Sequence, residues 1–363
     1  LHPFDGKLYL SAGNSSNIGP ARNAGPVPIL CFDPQTGKTA PVFTVDEEQI
    51  DIYYTFDNSL YLPGHDPKES WDLGNFYRLQ SRGEWQKHRT IPDAIHTYAM
   101  TMHNGRLFAG IGMVDNTEKG RRGRSAVCIS ADKGQTWRQV KLGSRRIHAF
   151  LKVGGSLFAV DILMTPRRRQ RLGKYLDAAP HTVFEYDGAM SFTAREDLRL
   201  GQLFPGYQSL PWHFNRAKPV KPVAFENTAY YIGGAVANDH QYLPVALYAA
   251  ESLTRDALKV RRVSLPGDIM PWDVTVRNGS LCVLGSTKHQ GETMNLVCES
   301  KDGTAWEVLF RFRTPTFARS FAWLDGAWYV ALGCRVANPY LWSLQELHPD
   351  TGRLYRIMPP QGE

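Results

Sequence analysis

Residues 104–112 read NGRLFAGIG, a turn dipeptide followed by a short and mainly apolar strand. The pattern returns at intervals of about 50 residues, and such a period is typical of propeller and solenoid repeats. Asn, Asp and Gly tolerate the positive φ angles that tight hairpins need, so each copy predicts a hairpin. The other six copies are DGKLYLSAG at 5–13, NSLYLPG at 58–64, GGSLFAV at 154–160, NTAYYIGG at 227–234, NGSLCVLG at 278–285 and DGAWYVALG at 325–333.

Each copy is followed by a second hairpin, as in SAVCISADKGQTWRQVK at 125–141 and WSLQELHPDTGRLYRI at 342–357. Two hairpins make a four-stranded antiparallel blade, and seven such blades close a ring without a long exposed edge. No amphipathic helix longer than two turns is expected. The sequence therefore predicts an all-β fold, a single seven-bladed β-propeller domain over residues 1–363, with blade boundaries near 49, 94, 146, 206, 268 and 315. Only four residues precede Asp5, so the innermost strand of the first blade is expected to be short.

Composition limits the class of protein further. The 363 residues hold no apolar run near the roughly 20 that a membrane helix needs. Five scattered cysteines without a CxxC pair argue against a disulfide scaffold. The formal net charge of +7 favours an acidic partner. Because the chain begins with Leu1 rather than Met, we expect an upstream segment, such as a signal peptide, to precede it.

Two turns resemble a known structural motif. SADKGQTW at 130–137 resembles the Asp box of sialidase-like propellers, and SKDGTAW at 300–306 resembles a shortened copy. The resemblance implies that Asp132 holds the turn and that Trp137 packs between blades. It also implies an extracellular type of propeller that is often carbohydrate-related. We therefore expect a secreted, periplasmic or cell-surface location.

Polar residues concentrate where the innermost strands begin. Side chains alternate along a strand, so even offsets from each hairpin turn share one side. Six positions before the turns stand Ile52, Tyr98, His148, Lys221, Trp272 and Arg319, and eight positions before them stand Ile50, His96, Arg146, Pro219, Met270 and Phe317. His and Tyr can transfer protons, and Arg can clamp a carboxylate. Catalytic candidates are therefore His96, Tyr98, His148 and Arg319, and binding candidates are Arg146, Lys221 and Trp272, the last as a platform for a sugar face. The alternative is that these side chains only plug the channel.

The segments between the second and third strands of the blades are expected to be long loops on the same face, at 12–28, 64–75, 112–125, 161–182, 234–244 and 286–295. Two of them are strongly basic, which favours a polyanionic partner. Arg122 and Arg124 in these segments are candidate substrate-binding residues, and so is His213, which precedes the innermost strand of the fifth blade. The basic residues of the two segments are Lys119, Arg121, Arg122, Arg124, Arg167, Arg168, Arg169, Arg171 and Lys174. No nucleic-acid-binding motif is present, so nucleic acid is not expected as a partner.

Weaker candidates remain in the same region. The carboxylates at 51, 115, 161 and 273 offer the pair that a glycosidase needs. The dipeptides at 65–66 and 239–240 each combine His with Asp and could bind a metal or the substrate. Cys31, Cys128 and Cys298 fall at one position of the third strand and predict small buried packing residues. The sequence assigns no cofactor and no metal site, and a structural divalent cation stays open.

A His, Tyr and Arg channel mouth in a seven-bladed shell is similar to that of propeller polysaccharide lyases such as ulvan lyases. By that resemblance, Arg319 or Arg146 would neutralise a uronate carboxylate, while His96, His148 or Tyr98 would abstract the C5 proton and protonate the leaving oxygen. The expected partner is an acidic polysaccharide or oligosaccharide, and the expected protein is a monomer. Two alternatives stay open: a glycoside hydrolase acting on rhamnose–glucuronate linkages, and a non-catalytic propeller that binds glycan or protein.

Overall fold

The chain forms a seven-bladed β-propeller of antiparallel blades with almost no helix. The computed structural model describes residues 1–11, 25–65, 67, 69–117, 120–143, 146–164, 182–206, 214–237, 241–289, 292–333 and 348–358. Within these ranges the one helix is a 3₁₀ turn at Leu200–Leu203. None of the described helical structure is long and apolar enough to cross a membrane.

The first three blades run, from the channel outward, through strands that follow the order of the sequence. The first holds β1 (His2–Phe4), β2 (Lys7–Leu10), β3 (Val27–Asp33) and β4 (Lys38–Val45). The second holds β5 (Tyr54–Phe56), β6 (Ser59–Pro63), β7 (Leu73–Gln80) and β8 (Trp85–Pro92). The third holds β9 (His96–His103), β10 (Arg106–Thr117), β11 (Gly120–Ser130) and β12 (Arg138–Lys141).

The fourth blade holds β13 (Ile147–Val153), β14 (Ser156–Asp161), β16 (Val183–Tyr186) and β17 (Phe192–Ala194). The fifth holds β18 (Phe214–Phe225), β19 (Thr228–Ala237), β20 (Gln241–Leu253) and β21 (Leu258–Arg262), with β15 (Leu163–Met164) paired to β18. The sixth holds β22 (Met270–Arg277), β23 (Ser280–His289), β24 (Glu292–Ser300) and β25 (Glu307–Thr314). The described strands of the seventh are β26 (Ala318–Leu324), β27 (Ala327–Leu332) and β28 (Leu354–Ile357). Every predicted blade boundary falls in a gap between sheets.

Apolar layers between neighbouring blades hold the ring together. Each blade interface has its own cluster of buried side chains, and the layer between the last and first blades closes the circle. There Leu8 and Tyr329 are buried together, and the Phe32 and Tyr329 ring centroids lie 5.7 Å apart. Burying apolar surface is the main favourable term in folding, so this contact lets the ring close without an exposed sheet edge.

Three of the predicted loops are instead extended hairpins. β10 and β11 stay paired as far as Thr117 and Gly120, so most of segment 112–125 is strand. β19 pairs with β20 out to Ala237 and Gln241, and β23 pairs with β24 out to His289 and Glu292. The loop expectation was therefore wrong at these blades, because continued ladder pairing satisfies backbone groups that a loop would leave to water.

Two hairpin turns begin one residue earlier than expected. Phe56 pairs with Ser59, so the turn residues of the second blade are 57–58, both with positive φ. In the fifth blade Phe225 pairs with Thr228, and the turn begins at Glu226 with φ of +54°. In the seventh blade, β28 pairs with β27, and the expected third strand at 342–347 lies outside the described residues. β1 occupies the innermost position of the first blade despite its shortness.

The Asp132 turn has the hydrogen bonds expected of a carboxylate that holds a loop. Its carboxylate accepts the backbone N–H groups of Gln135 and Thr136 at 3.1 and 2.9 Å and the Thr136 hydroxyl at 2.6 Å. Trp137 donates from Nε1 to Thr90 Oγ1 of the neighbouring blade at 3.0 Å. The predicted packing role of Cys31, Cys128 and Cys298 is confirmed, since all three are free and buried.

Candidate site at the mouth of the channel

A β-bulge lies at the corresponding position of the innermost strand in each blade from the third to the seventh. In the third blade, Gly110 pairs with Ala99 and Ile111 with Thr97, which makes Tyr98 the extra residue. Bulges bend a strand and re-aim a side chain, and they are common beside functional sites. The same break in register falls at His148, at Lys221 with Pro222, at Trp272 and at Arg319. Five consecutive blades therefore break the ladder at the same level, with one unpaired residue in four of them and two in the fifth blade.

Four rings form a continuous cluster across the second, third and fourth blades. The Tyr98 and His148 ring centroids lie 4.0 Å apart, and those of Tyr98 and His96 lie 4.9 Å apart. His65 completes the cluster at 5.0 Å from His96, and the two residues also form an isolated β-bridge. The structure thus brings together three of the four predicted catalytic residues. It adds His65, which the sequence marked only as a weak candidate.

Two cations flank this cluster. The Lys218 Nζ lies 3.3 Å from His148 Nδ1, and the Arg146 guanidinium lies 5.4 Å from the Tyr98 ring centroid. Burial, followed by the charges of Lys218 and Arg146, holds the pKa of His148 well below its usual range. An ammonium group can only donate, so Nδ1 of His148 accepts and the proton of the neutral ring is on Nε2. Among the described residues, that buried Nε2 has no hydrogen-bond partner.

Asp51 anchors the opposite end of the ring cluster. One of its carboxylate oxygens lies 3.2 Å from His65 Nδ1. Burial acts to raise the pKa of Asp51, but the charge of His65 and its hydrogen bond outweigh burial and lower that pKa to about 2. Asp51 is therefore ionised at neutral pH.

A second group of residues lies on the fifth, sixth and seventh blades. Lys221 Nζ pairs with the buried Asp273 carboxylate at 2.8 Å, and Asp273 also accepts the Phe321 N–H at 3.2 Å. The Arg319 guanidinium carbon lies 5.3 Å from the Trp272 ring centroid, and Arg319 is exposed. Trp272 is only 5% exposed and stacks on Phe317 at 3.9 Å, so little of its ring is open to a ligand.

A cavity of about 550 Å³ lies in the channel beside this second group. Asp51, Lys221 and Asp273 line it together with the innermost strands β5 and β22. Because Asp51 also pairs with His65, it connects the cavity to the ring cluster. The volume is in the range of pockets that hold small ligands.

The other predicted residues have different positions. The Arg124 side chain is exposed on the extended hairpin, whereas the side chain of Arg122 lies outside the described part of the chain. His213 and the basic run 167–174 also lie outside the described residues. Asp161 is buried and accepts the Arg146 N–H at 2.7 Å and the Ser125 hydroxyl at 3.0 Å, which makes it a structural anchor. The described residues contain no group of three or more metal-ligating side chains.

Comparisons with known proteins identify the fold. No protein-family model matches the chain, and no curated protein matches its sequence. Among solved structures, polysaccharide lyase Uly1 matches 99% of this chain and 89% of its own length with a TM-score of 0.50 and 11% identity. An acylaminoacyl peptidase of Pyrococcus horikoshii also scores 0.50, at 9% identity, over 96% of this chain and 48% of its own. An ulvan lyase of family PL25 scores 0.43 at 10% identity, over 92% and 88%. At these identities the likeness shows the propeller fold alone, and function depends on the site.

Proposed function

We propose that the protein binds an acidic, uronate-containing polysaccharide at the channel mouth and cleaves it by β-elimination. The observation that carries the proposal is the contact of Tyr98 with His96 and His148, flanked by Lys218 and Arg146. This arrangement supplies proton-transfer groups and a positive field within one small region. Both are needed to remove a proton next to a carboxylate.

Recognition of the carboxylate falls to the cations. Arg146 and Lys218 are on the His and Tyr side of the mouth, and Arg319 is an exposed cation on the seventh blade. Lys221 is already neutralised by Asp273, so it contributes less to a new anion. For neutral His148 to stabilise the negative charge that develops on the substrate, its buried Nε2–H must turn towards the channel and donate a hydrogen bond there. An imidazole kept neutral by its surroundings can donate in this way without taking up a proton.

The proton steps then fall to His96 and Tyr98. One of them takes the C5 proton while the C5 electron pair forms the C4–C5 double bond. The bond between C4 and the leaving oxygen breaks, and the other residue protonates that oxygen. No water, oxidant or further reactant is consumed. Trp272, which is largely buried, is best placed to orient the Arg319 guanidinium rather than to bind a sugar face directly.

Two contacts argue against Asp51 and Asp273 as the protonated acid that the alternative of hydrolysis would need. A glycosidase needs one carboxylic acid that stays protonated near neutral pH. Asp51 cannot serve, because His65 holds the pKa of its carboxyl at about 2. Asp273 is buried, paired with Lys221, and hydrogen-bonded to the Val274 and Phe321 N–H groups at 2.9 and 3.2 Å.

The test is incubation with a panel of acidic polysaccharides, with two signals followed together. Elimination produces an unsaturated uronate that absorbs in the ultraviolet, along with a new reducing end. Reducing ends without the absorbance would indicate hydrolysis. Binding without either signal would support a non-catalytic propeller and contradict the proposal.

A further inference from the structure

A smaller cavity of about 130 Å³ lies between the innermost strands of the second to fifth blades, away from the ring cluster. Lys152 is in its wall, four residues after His148 on β13, or roughly 13 Å along the strand. The walls around it are mainly apolar, with Phe56, Met100 and Phe150 among them. Tyr54 and Phe56 also line the larger channel cavity, so the two spaces share a wall.

The amine of Lys152 has no counterion in the described part of the chain, where no carboxylate lies within ion-pair distance of its Nζ. Tyr54 is the other titratable residue described in the cavity wall, and burial raises the pKa of its phenol, which keeps it neutral. His103 lies near enough that, after burial, the charge of Lys152 lowers its pKa. Burial likewise lowers the pKa of Lys152.

We propose that this cavity is a binding and modification site in which Lys152 captures a small aldehyde or ketone as a Schiff base. An apolar pocket without a counterion favours the unprotonated form of a lysine amine, which is the form that attacks carbonyl carbon. The Nζ electron pair forms the bond to that carbon, and the two amine protons leave with the carbonyl oxygen as water. The space is equivalent to about four waters, which limits the ligand to a few heavy atoms. The site is independent of the activity proposed for the channel mouth.

The experiment uses the intact protein, propanal as the carbonyl probe and cyanoborohydride to reduce the imine to a stable secondary amine. Peptide mapping by mass spectrometry then compares Lys152 with the exposed Lys38 and Lys301 of the same sample. At neutral pH we expect Lys152 to be alkylated several-fold faster. Its rate should saturate with propanal concentration, whereas the exposed lysines should respond linearly.

Two variants separate a site from an accidentally reactive amine. Lys152→Met should remove the saturable alkylation without changing the modification of Lys38. Ala224→Leu keeps the amine but adds bulk to the cavity wall, so it should reduce the rate at Lys152. The proposal is overturned if Lys152 in the unmodified protein reacts no faster than Lys38, or if its rate rises linearly with propanal. Both of these results are measured on the unmodified protein, so they can be obtained even if a variant fails to fold.

Discussion

Replacing Lys218 by Met should raise the pKa of His148 towards its ordinary value of 6.5. The substitution removes the nearest positive charge, 3.3 Å from Nδ1, and keeps most of the aliphatic volume. At that separation, two unit charges repel by about 1 kcal/mol in a water-like dielectric and about 5 kcal/mol at an effective dielectric constant of 20. Both side chains are only half-buried, so we expect the lower part of that range. Burial is the larger cause of the low pKa of His148, so removing the Lys218 charge should restore that pKa only in part.

The assay is an NMR titration of the histidine side chains in the unmodified protein and in Lys218→Met. Lys152→Met provides the matched control, because it makes the same substitution at a half-buried lysine on the strand that carries His148, and Lys152 is not among the charges that lower the pKa of His148. The apparent pKa of His148 should rise in Lys218→Met and stay constant in the control. An unchanged titration in Lys218→Met, or an equal shift in both variants, would refute the assignment of Lys218 as its electrostatic partner.

The low pKa of His148 also predicts how stability depends on pH. Above the ordinary 6.5, the folded and unfolded chains both hold the ring neutral. As the pH falls below 6.5, the unfolded chain takes up a proton that the folded chain resists, so stability is lost towards acid. Burial also lowers the pKa of His88 and His103, which adds to the same trend. Thermal melts should therefore show that the Tm falls between pH 7 and pH 5. The fall should be smaller in His148→Gln than in the unmodified protein. An identical pH dependence in His148→Gln would contradict the assignment.

The remaining predictions concern substrate binding and turnover. Tyr98→Phe keeps the ring contact with His148 but removes the hydroxyl, so turnover should fall by roughly 10²- to 10⁴-fold with little change in Tm; an unaltered rate would exclude Tyr98 from proton transfer. Arg319→Lys keeps the charge and loses the planar fork, so kcat should fall, and kinetics equal to those of the unmodified protein would argue against a carboxylate clamp. Replacing three arginines of the extended β10–β11 hairpin by serine should weaken polyanion binding most at low salt. A loss of affinity that is the same at every ionic strength would contradict an electrostatic role. The three arginines are Arg121, Arg122 and Arg124.

The architecture could be predicted from the sequence because the hairpin turns repeat. Dipeptides such as Asn104-Gly105 need positive φ at both positions, and the structure has φ of +47° and +72° there. The same reasoning failed by one residue at the second and fifth blades, where Asp57 and Glu226 take positive φ without a following Gly. Counting six positions back from Asp57 gives Asp51 rather than Ile52 (57 − 6 = 51). That one-residue error placed Ile52 at the channel position instead of Asp51, the carboxylate that pairs with His65.

The site could be predicted only in part, because its geometry depends on contacts between blades. Alternation along each strand identified Tyr98 and His148, but not the bulges that turn them out of the ladder. A bulge breaks the period of two, so strand parity alone does not fix where such a side chain points. Lys218 was missed because it reaches His148 from the neighbouring blade, 70 residues away in sequence.

The most direct test of the account is digestion of an oligouronate in ¹⁸O-labelled water, with mass analysis of both new chain ends. Elimination should give a product that lacks one water at the new non-reducing end and carries no ¹⁸O from cleavage. The same product should be strongly reduced in Tyr98→Phe. Products that together gain one whole water at each cleavage, with no unsaturated end, would show hydrolysis and contradict the central claim, as would a full yield of unsaturated product from Tyr98→Phe.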